Sequence, residues 1–377
     1  VWTHRAWDAT AFGDLDGDGH ADLVSSIGPE LICVTFLKPA NSLGVSVGRT
    51  KDTYAAAAAD VDGDGVTDLV FQRAEFIEFA RGDGHGQFAP AVQSEIEPFD
   101  LLYGLTLADV DSDGDLDVVG RGLGGEHLAA SNDGSGRFGT PQPLPFVPFW
   151  KAYWADFDGD GRNDALIPVT GQLLVYRGLP GGGFTNAAVT NSASVHQPTA
   201  ADFDGDGRAE AVLWGPSGTL VRLAWGASGA LEPVGSIPCP NWPRAILADD
   251  VDADGEFDLL WVTGNGWIQC ALGDGTGNFA APLSTPLPLA QWENVDRARL
   301  LHVDRDGHLD LLVDTMDTQL NPRALLCSGL GNGRFASPIE LAPWIAGGLM
   351  TDFNGDDRAD LVLDNRGFAR PVVILQD

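Results

Sequence analysis

The sequence predicts an all-β fold built as an array of small sheets, and three observations carry that expectation. The stretch Asp156-Phe-Asp158-Gly-Asp160-Gly-Arg162-Asn-Asp164 returns in eight versions along the 377 residues, beginning at Asp14, Asp60, Asp109, Asp156, Asp202, Asp250, His302 and Asp352, at intervals of 46 to 52 residues. Each version is flanked by short apolar runs of strand length. Four of the repeats also carry a Gly-rich turn that ends in Phe: Gly82 to Phe88, Asn132 to Phe138, Gly273 to Phe279 and Gly329 to Phe335. A period of this size is the mark of a propeller or a solenoid, and an unbroken repeat argues for one domain over residues 1–377 rather than two or three.

Each repeat divides into four strands. Small apolar residues precede each loop, as in Ala55 to Ala59, Leu105 to Ala108 and Ala245 to Ala248, and they suit an innermost strand crowded around an axis. After the loop comes a second, more apolar strand, as in Ala21 to Val24, Asp68 to Phe71, Asp117 to Val119, Ala211 to Trp214, Asp258 to Val262 and Asp310 to Val313. The third strand, seen in Leu31 to Leu37, Phe76 to Ala80, Leu173 to Arg177, Leu220 to Trp225, Trp267 to Leu272 and Ala324 to Cys327, runs into the Gly-rich turn. The chain then reverses into an outer fourth strand. The eighth repeat stops after its third strand near Phe368 to Leu375, so Val1 to Arg5, which precede the first inner strand, are expected to complete it and close the ring without an open edge.

The loops read as sites for a hard cation. Acids at positions one, three, five and nine converge on one point, the backbone carbonyl of position seven points inward, and Gly at position six permits the tight turn. The candidate ligands are Asp14, Asp16, Asp18, His20 and Asp22; Asp60, Asp62, Asp64, Val66 and Asp68; Asp109, Asp111, Asp113, Asp115 and Asp117; and Asp156, Asp158, Asp160, Arg162 and Asp164. The second half of the array supplies Asp202, Asp204, Asp206, Arg208 and Glu210; Asp250, Asp252, Asp254, Glu256 and Asp258; Asp304, Asp306, His308 and Asp310; and Asp352, Asn354, Asp356, Arg358 and Asp360. All-oxygen sets of this size favour Ca2+ over Mg2+, and no thiolate or imidazole is placed for zinc. Seven or eight ions are expected, with the seventh site weakened by His302 at position one.

The net charge of −32 follows from these loops, since 30 of the 54 acids occupy positions one, three, five and nine, and eight Ca2+ would halve it. Nothing in the sequence forms a basic stripe, which argues against nucleic acid as a partner. No apolar run reaches the ~18 to 20 residues of a membrane span. Val1 opens the chain without a signal peptide, so the chain reads as mature or excised, with a larger parent chain left open. Cys33, Cys239, Cys270 and Cys327 show no metal spacing and read as buried thiols.

The Asp-rich loops, the Gly-to-Phe turns and the period together resemble the FG-GAP or VCBS-type repeat, the unit of the integrin α-subunit propeller, over essentially the whole chain. The resemblance implies an eight-bladed β-propeller of four-stranded blades, with Ca2+ in the loops between first and second strands and a ligand face opposite them. This chain departs from the pattern at His302, at Asn354 and Asp357 in the eighth loop, at Glu210 in the fifth, and in the missing Phe turn around Lys38 to Leu43.

On the implied ligand face, the segments before the inner strands carry Trp7, Tyr54, Tyr103, Trp150, His196, Trp242, Trp292 and Trp344, accompanied by Lys51, Lys151 and Arg244. Rings and cations of this kind stack sugars or grip acidic groups, although single rings also serve as packing between sheets. The reading is an extracellular or periplasmic binding module for a glycan or an extracellular protein, in adhesion or lectin-like recognition, with no catalytic residue assigned. The rival is a polysaccharide lyase acting on uronic acids, an activity found among propellers of the resembled type, with His196, Tyr54 or Tyr103 as the base. No nucleophile elbow, phosphate loop, dinucleotide fingerprint or zinc motif is present.

Overall fold

The computed structural model describes residues 10–13, 22–26, 31–35, 45–49, 53–66, 68–73, 76–83, 89–95, 106–121, 126–147, 152–180, 182–185, 188–191, 198–215, 217–289, 294–301, 306–316, 322–341, 349–351, 360–363 and 372–374, with backbone alone for the strands before residue 57 and after 341. These residues form antiparallel sheets in strict chain order. Seven have four strands, and one, built from Leu349–Thr351, Asp360–Leu363 and Val372–Ile374, has three. Each strand pairs with the next in sequence. The fourth sheet, Tyr153–Ala155, Asp164–Val169, Gln172–Tyr176 and Ala188–Asn191, typifies the rest. Val1 to Arg5, expected to close the ring, and the stretch around Lys38 to Leu43, where the first repeat lacks the Phe turn, lie outside the described residues.

The core consists of layers between consecutive sheets rather than one central mass. Val61, Val70, Ile77 and Phe79 of the second sheet meet Val118, Leu128 and Phe138 of the third. Similar layers join third to fourth, fourth to fifth, fifth to sixth and sixth to seventh. Second strands are buried on both faces, which is why they read as continuous apolar runs: every residue of Asp258–Thr263 is buried.

The Gly-rich turns explain how neighbouring sheets key together. Each ends in an isolated bridge, Asn132 to Phe138, Gly178 to Phe184, Gly273 to Phe279 and Gly329 to Phe335, and the Phe turns inward against the preceding sheet. The backbone N–H of Phe138 donates to Ser94 Oγ on the second sheet's outer strand at 3.0 Å, and that of Phe335 to Thr285 Oγ1 on the sixth sheet's outer strand at 3.3 Å. Gly136 sits at φ 75° with the Phe79 ring directly on its α-carbon, so a side chain there would collide with the neighbouring sheet.

The inner strands of the third to seventh sheets surround one cavity of about 720 Å3, lined among others by Leu107, Tyr153, Thr199, Ile246, Arg297 and Arg299. Consecutive sheets packed face to face, with their first strands around a shared axial space, make a β-propeller. Cys239, Cys270 and Cys327 are buried free thiols, and burial pushes them up to about 11, 12 and 12. Among the described residues no helix is long and apolar enough to cross a membrane.

Candidate functional site

Two ends of the sheets carry chemistry. At one end, each acid loop links the inner strand to the second strand, and its positions divide the work. The first carboxylate folds the loop around itself: Asp156 Oδ1 accepts from the N–H groups of Gly159 and Asp160, and Oδ2 from Gly161 at 2.7 Å. Asp202 repeats this with Gly205, Asp206 and Gly207. The fifth carboxylate accepts from the N–H of position seven in six loops, from Asp64 and Val66 to Asp306 and His308. Position six is a left-handed Gly in the described loops, with φ of 85° at Gly65 and 98° at Gly114. Position four is also left-handed, and there Ser112 and Ala253 accept φ of 62° and 61°, at a cost of about 1 kcal/mol each.

The ninth position has a second role that its acid alone does not reveal. Asp68, Asp117, Asp164 and Asp258 each accept two buried backbone N–H groups, one from position two of the loop and one from the start of the Gly-rich turn. For Asp164 these are Phe157 at 3.0 Å and Gly178 at 2.9 Å. The carboxylate staples the loop to the end of the third strand. Burial pushes Asp117, Asp164 and Asp258 from the ordinary 3.8 up to about 6.

That shift fixes a pH dependence for the metal-free protein. A folded value above the unfolded one means that the folded state holds the proton more tightly, so stability is gained as pH falls through about 6 toward 3.8 and lost as it rises back. Protein stripped of divalent ions should therefore melt higher at about pH 5 than at about pH 7, the opposite of acid denaturation driven by paired carboxylates. Scanning fluorimetry across that range checks the sign.

The third position identifies what the loops lack from protein alone. Asp62, Asp111, Asp158, Asp204 and Asp252 each have a buried Oδ1 with no hydrogen-bond partner. In five loops three carboxylate groups bring an oxygen within 4.8 Å of one another: Asp60, Asp62 and Asp68; Asp109, Asp111 and Asp117; Asp156, Asp158 and Asp164; Asp202, Asp204 and Asp206; Asp250, Asp252 and Asp254. Burial first, then the neighbouring aspartates, pushes Asp252 above its ordinary range. A buried, unpartnered anionic oxygen beside two further carboxylates fits a hard cation held by oxygen. The side chains at positions seven lie elsewhere: Asp115, Glu256 and His308 rest on Gly134, Gly275 and Gly331 of their own Gly-rich turns. Loop one, loop eight and Asp304 of loop seven lie outside the residues whose side chains are described.

At the opposite end, the structure joins residues of the fifth, sixth and seventh sheets. Trp242 stacks on Trp214, with planes 8° apart and ring centres at 5.5 Å. The Arg244 guanidinium lies 5.7 Å from the centre of the Trp242 ring, and its Nη2 donates to Asn294 Oδ1 at 2.9 Å. Trp214 Nε1 donates to the Cys239 carbonyl at 3.2 Å, which anchors the inner ring, while Trp242 is 48% exposed. Trp267, at the start of the third strand of the sixth sheet, is also exposed.

A bulge places Arg244 here. The pairing of the inner strand slips between Pro243 and Ala245, and the same slip occurs between Thr53 and Ala55 and between Val295 and Arg297. The extra residues, Tyr54, Arg244 and Asp296, all stand six positions before position one of their loop. Bulges re-aim side chains at sheet ends, and three at one register position make a repeated feature of this face.

Of the predicted ligand-face residues, Trp242 and Arg244 are brought together, and Tyr54 is placed by its backbone at a bulge. Trp7, Lys51, Tyr103, Trp150, Lys151, His196, Trp292 and Trp344 lie outside the described residues, so two of the bases considered for a lyase have no described position. Trp154, another ring near the inner strands, packs in the core against Phe146 and Phe184. Sequence reasoning missed Trp214 and Trp267. The antiparallel order could have found them, because the second strand ends, and the third begins, at the end where the inner strand starts.

The acid-loop repeats of this β-propeller are matched by a known family of repeats. The FG-GAP-like repeat family matches residues 60–120, 156–213 and 202–261, each match spanning two consecutive acid loops. The chain thus carries FG-GAP-like repeats in three places. No curated protein matches. Among solved structures, a functionally unknown protein from Desulfotomaculum acetoxidans is similar with a TM-score of 0.51 at 11% identity, covering 94% of this chain and 98% of that one. An Agrocybe aegerita lectin that recognises non-reducing terminal N-acetylglucosamine aligns with a TM-score of 0.44 at 16% identity, over 88% of this chain and 79% of that one. A periplasmic gluconolactonase from Pseudomonas aeruginosa aligns at 0.47 and 16% identity, over 74% and 85%.

Proposed function

We propose that the chain is an extracellular or periplasmic eight-bladed propeller, stabilised by Ca2+ in its acid loops, that binds glycans through the opposite end. Val1 to Arg5 supply the outer strand of the three-stranded eighth sheet in this reading. The observation that carries the binding role is the Trp214–Trp242 stack beside Arg244. An indole half open to solvent and supported from behind offers a flat face to the C–H side of a sugar ring, and a guanidinium at its edge donates to hydroxyl or carboxylate oxygens. Ca2+ would be held by the carboxylates at positions one, three, five and nine, where it supplies the positive charge that the buried third-position oxygens lack.

A glycan array probed with the Ca2+-loaded protein and again after chelation tests the reading. Recognition of a defined set of glycans that fades on chelation is expected. An array without hits for the Ca2+-loaded protein overturns the glycan assignment and leaves a protein partner as the ligand class.

A further inference from the structure

The acid loops differ in one respect that their shared pattern hides, the presence of a resident cation. In the second loop Arg81 Nε reaches Asp62 Oδ2 at 2.5 Å, and in the fourth Arg177 Nη1 reaches Asp158 Oδ2 at 2.8 Å. Both arginines stand just past the third strand with side chains 52% and 45% exposed, and their further contacts, Arg81 Nη2 to Asp64 Oδ2 at 3.2 Å and the Arg177 guanidinium 5.9 Å from the centre of the Trp225 ring, leave room to move outward into solvent. The equivalent positions in the third and sixth loops hold Ser131 and Leu272, and these two loops have five acids each.

The fifth loop is different in kind. Arg222, from the middle of the third strand Thr219–Trp225, places Nη1 at 2.5 Å from Glu210 Oε1 and 3.3 Å from Asp204 Oδ2. Its side chain is 12% exposed, and its guanidinium lies on the α-carbon of Gly277 in the next sheet's turn. The longer acid at position nine explains the arrangement. Glu210 Oε2 keeps the loop bond, accepting from Phe203 N–H at 2.7 Å, while Oε1 gives up the backbone donor used by the aspartates and takes the guanidinium. A buried arginine confined by a neighbouring sheet cannot swing clear as Arg81 and Arg177 can, and a divalent ion entering beside it would meet a like charge at close range.

We propose that Arg222 is the built-in counter-ion of the fifth loop, which holds its folded shape without Ca2+, while the second, third, fourth and sixth loops take the ion. The proposal rests on the reading of the loops as Ca2+ sites. It also divides the array by affinity: the third and sixth loops, without an arginine at the end of the third strand, fill first, and the second and fourth fill after their arginines move aside.

Native mass spectrometry of the whole chain at saturating Ca2+ decides the matter by difference. Asp158→Asn should lose one bound calcium relative to the parent protein, Asp204→Asn should lose none, and Arg222→Met should gain one. Melting in Ca2+ and in chelator supplies the second readout: Asp204→Asn should leave the chelator-induced shift unchanged, whereas Asp158→Asn should shrink it. If Arg222→Met fails to fold, the two aspartate variants still decide. Loss of one calcium from both overturns the proposal. Absence of calcium from the parent protein overturns the Ca2+ reading itself, a separate outcome.

Discussion

Chelation of the Ca2+-loaded protein should lower its melting temperature by tens of degrees. Each loop closes only by crowding carboxylates, and in five of them the third-position oxygen is buried without a donor. A bound ion removes that penalty and adds its own binding free energy. For a site with Kd of ~10⁻⁴ M at ~1 mM Ca2+, linkage supplies about 1.4 kcal/mol, so the second, third, fourth and sixth loops together contribute about 6 kcal/mol. That is comparable to the whole stability of an ordinary domain. The loops also set the spacing of inner and second strands, so losing them loosens the layers between sheets. An unchanged melting curve in excess chelator would mean that the loops hold themselves together without an ion.

Replacing Asp164 by Ala should cost about 3 to 5 kcal/mol in both the presence and the absence of Ca2+, because it strands two buried N–H groups. Phe157 and Gly178 donate to this one carboxylate, and neither has water at hand to replace it, since Asp164 is fully buried. Asp158→Asn should destabilise the Ca2+-loaded protein more than the metal-free one, because its buried Oδ1 has no protein donor to lose and the metal-free protein loses only the charge pairing of Oδ2 with the half-exposed Arg177. Chemical denaturation of both variants in each condition separates staple from ligand. A penalty for Asp164→Ala that disappears with the ion would make position nine a ligand and nothing more.

Much of this was legible because repetition multiplies weak signals. One Asp-rich loop could be a solvated turn; several in register with apolar runs between them define the sheets and their order, and the inner strand expected at Ala55 to Ala59 is found as Thr53–Ala59. What escaped the sequence is what register and sheet-to-sheet contact create. The bulges at Tyr54 and Arg244 are offsets between paired strands, which no single strand displays. Phe138 reads as the end of a turn, yet it is a wedge into the sheet before it. The double role of Asp164 depends on where Gly178 returns, and Arg222 looks like one more residue of an ordinary strand until the third strand folds back over the loop.

The central claim is that the aromatic end of the propeller is where a glycan sits. Calorimetric titration of the best array glycan into the parent protein and into Trp242→Ala, at equal Ca2+, tests it most directly. Truncating a stacked aromatic anchor typically costs ~1 to 3 kcal/mol, roughly a 5- to 150-fold weaker Kd. The account predicts that loss together with an unchanged melting temperature, because Trp242 is half exposed and outside the layers between sheets. Affinity equal to that of the parent protein would contradict it and place the ligand elsewhere on the molecule.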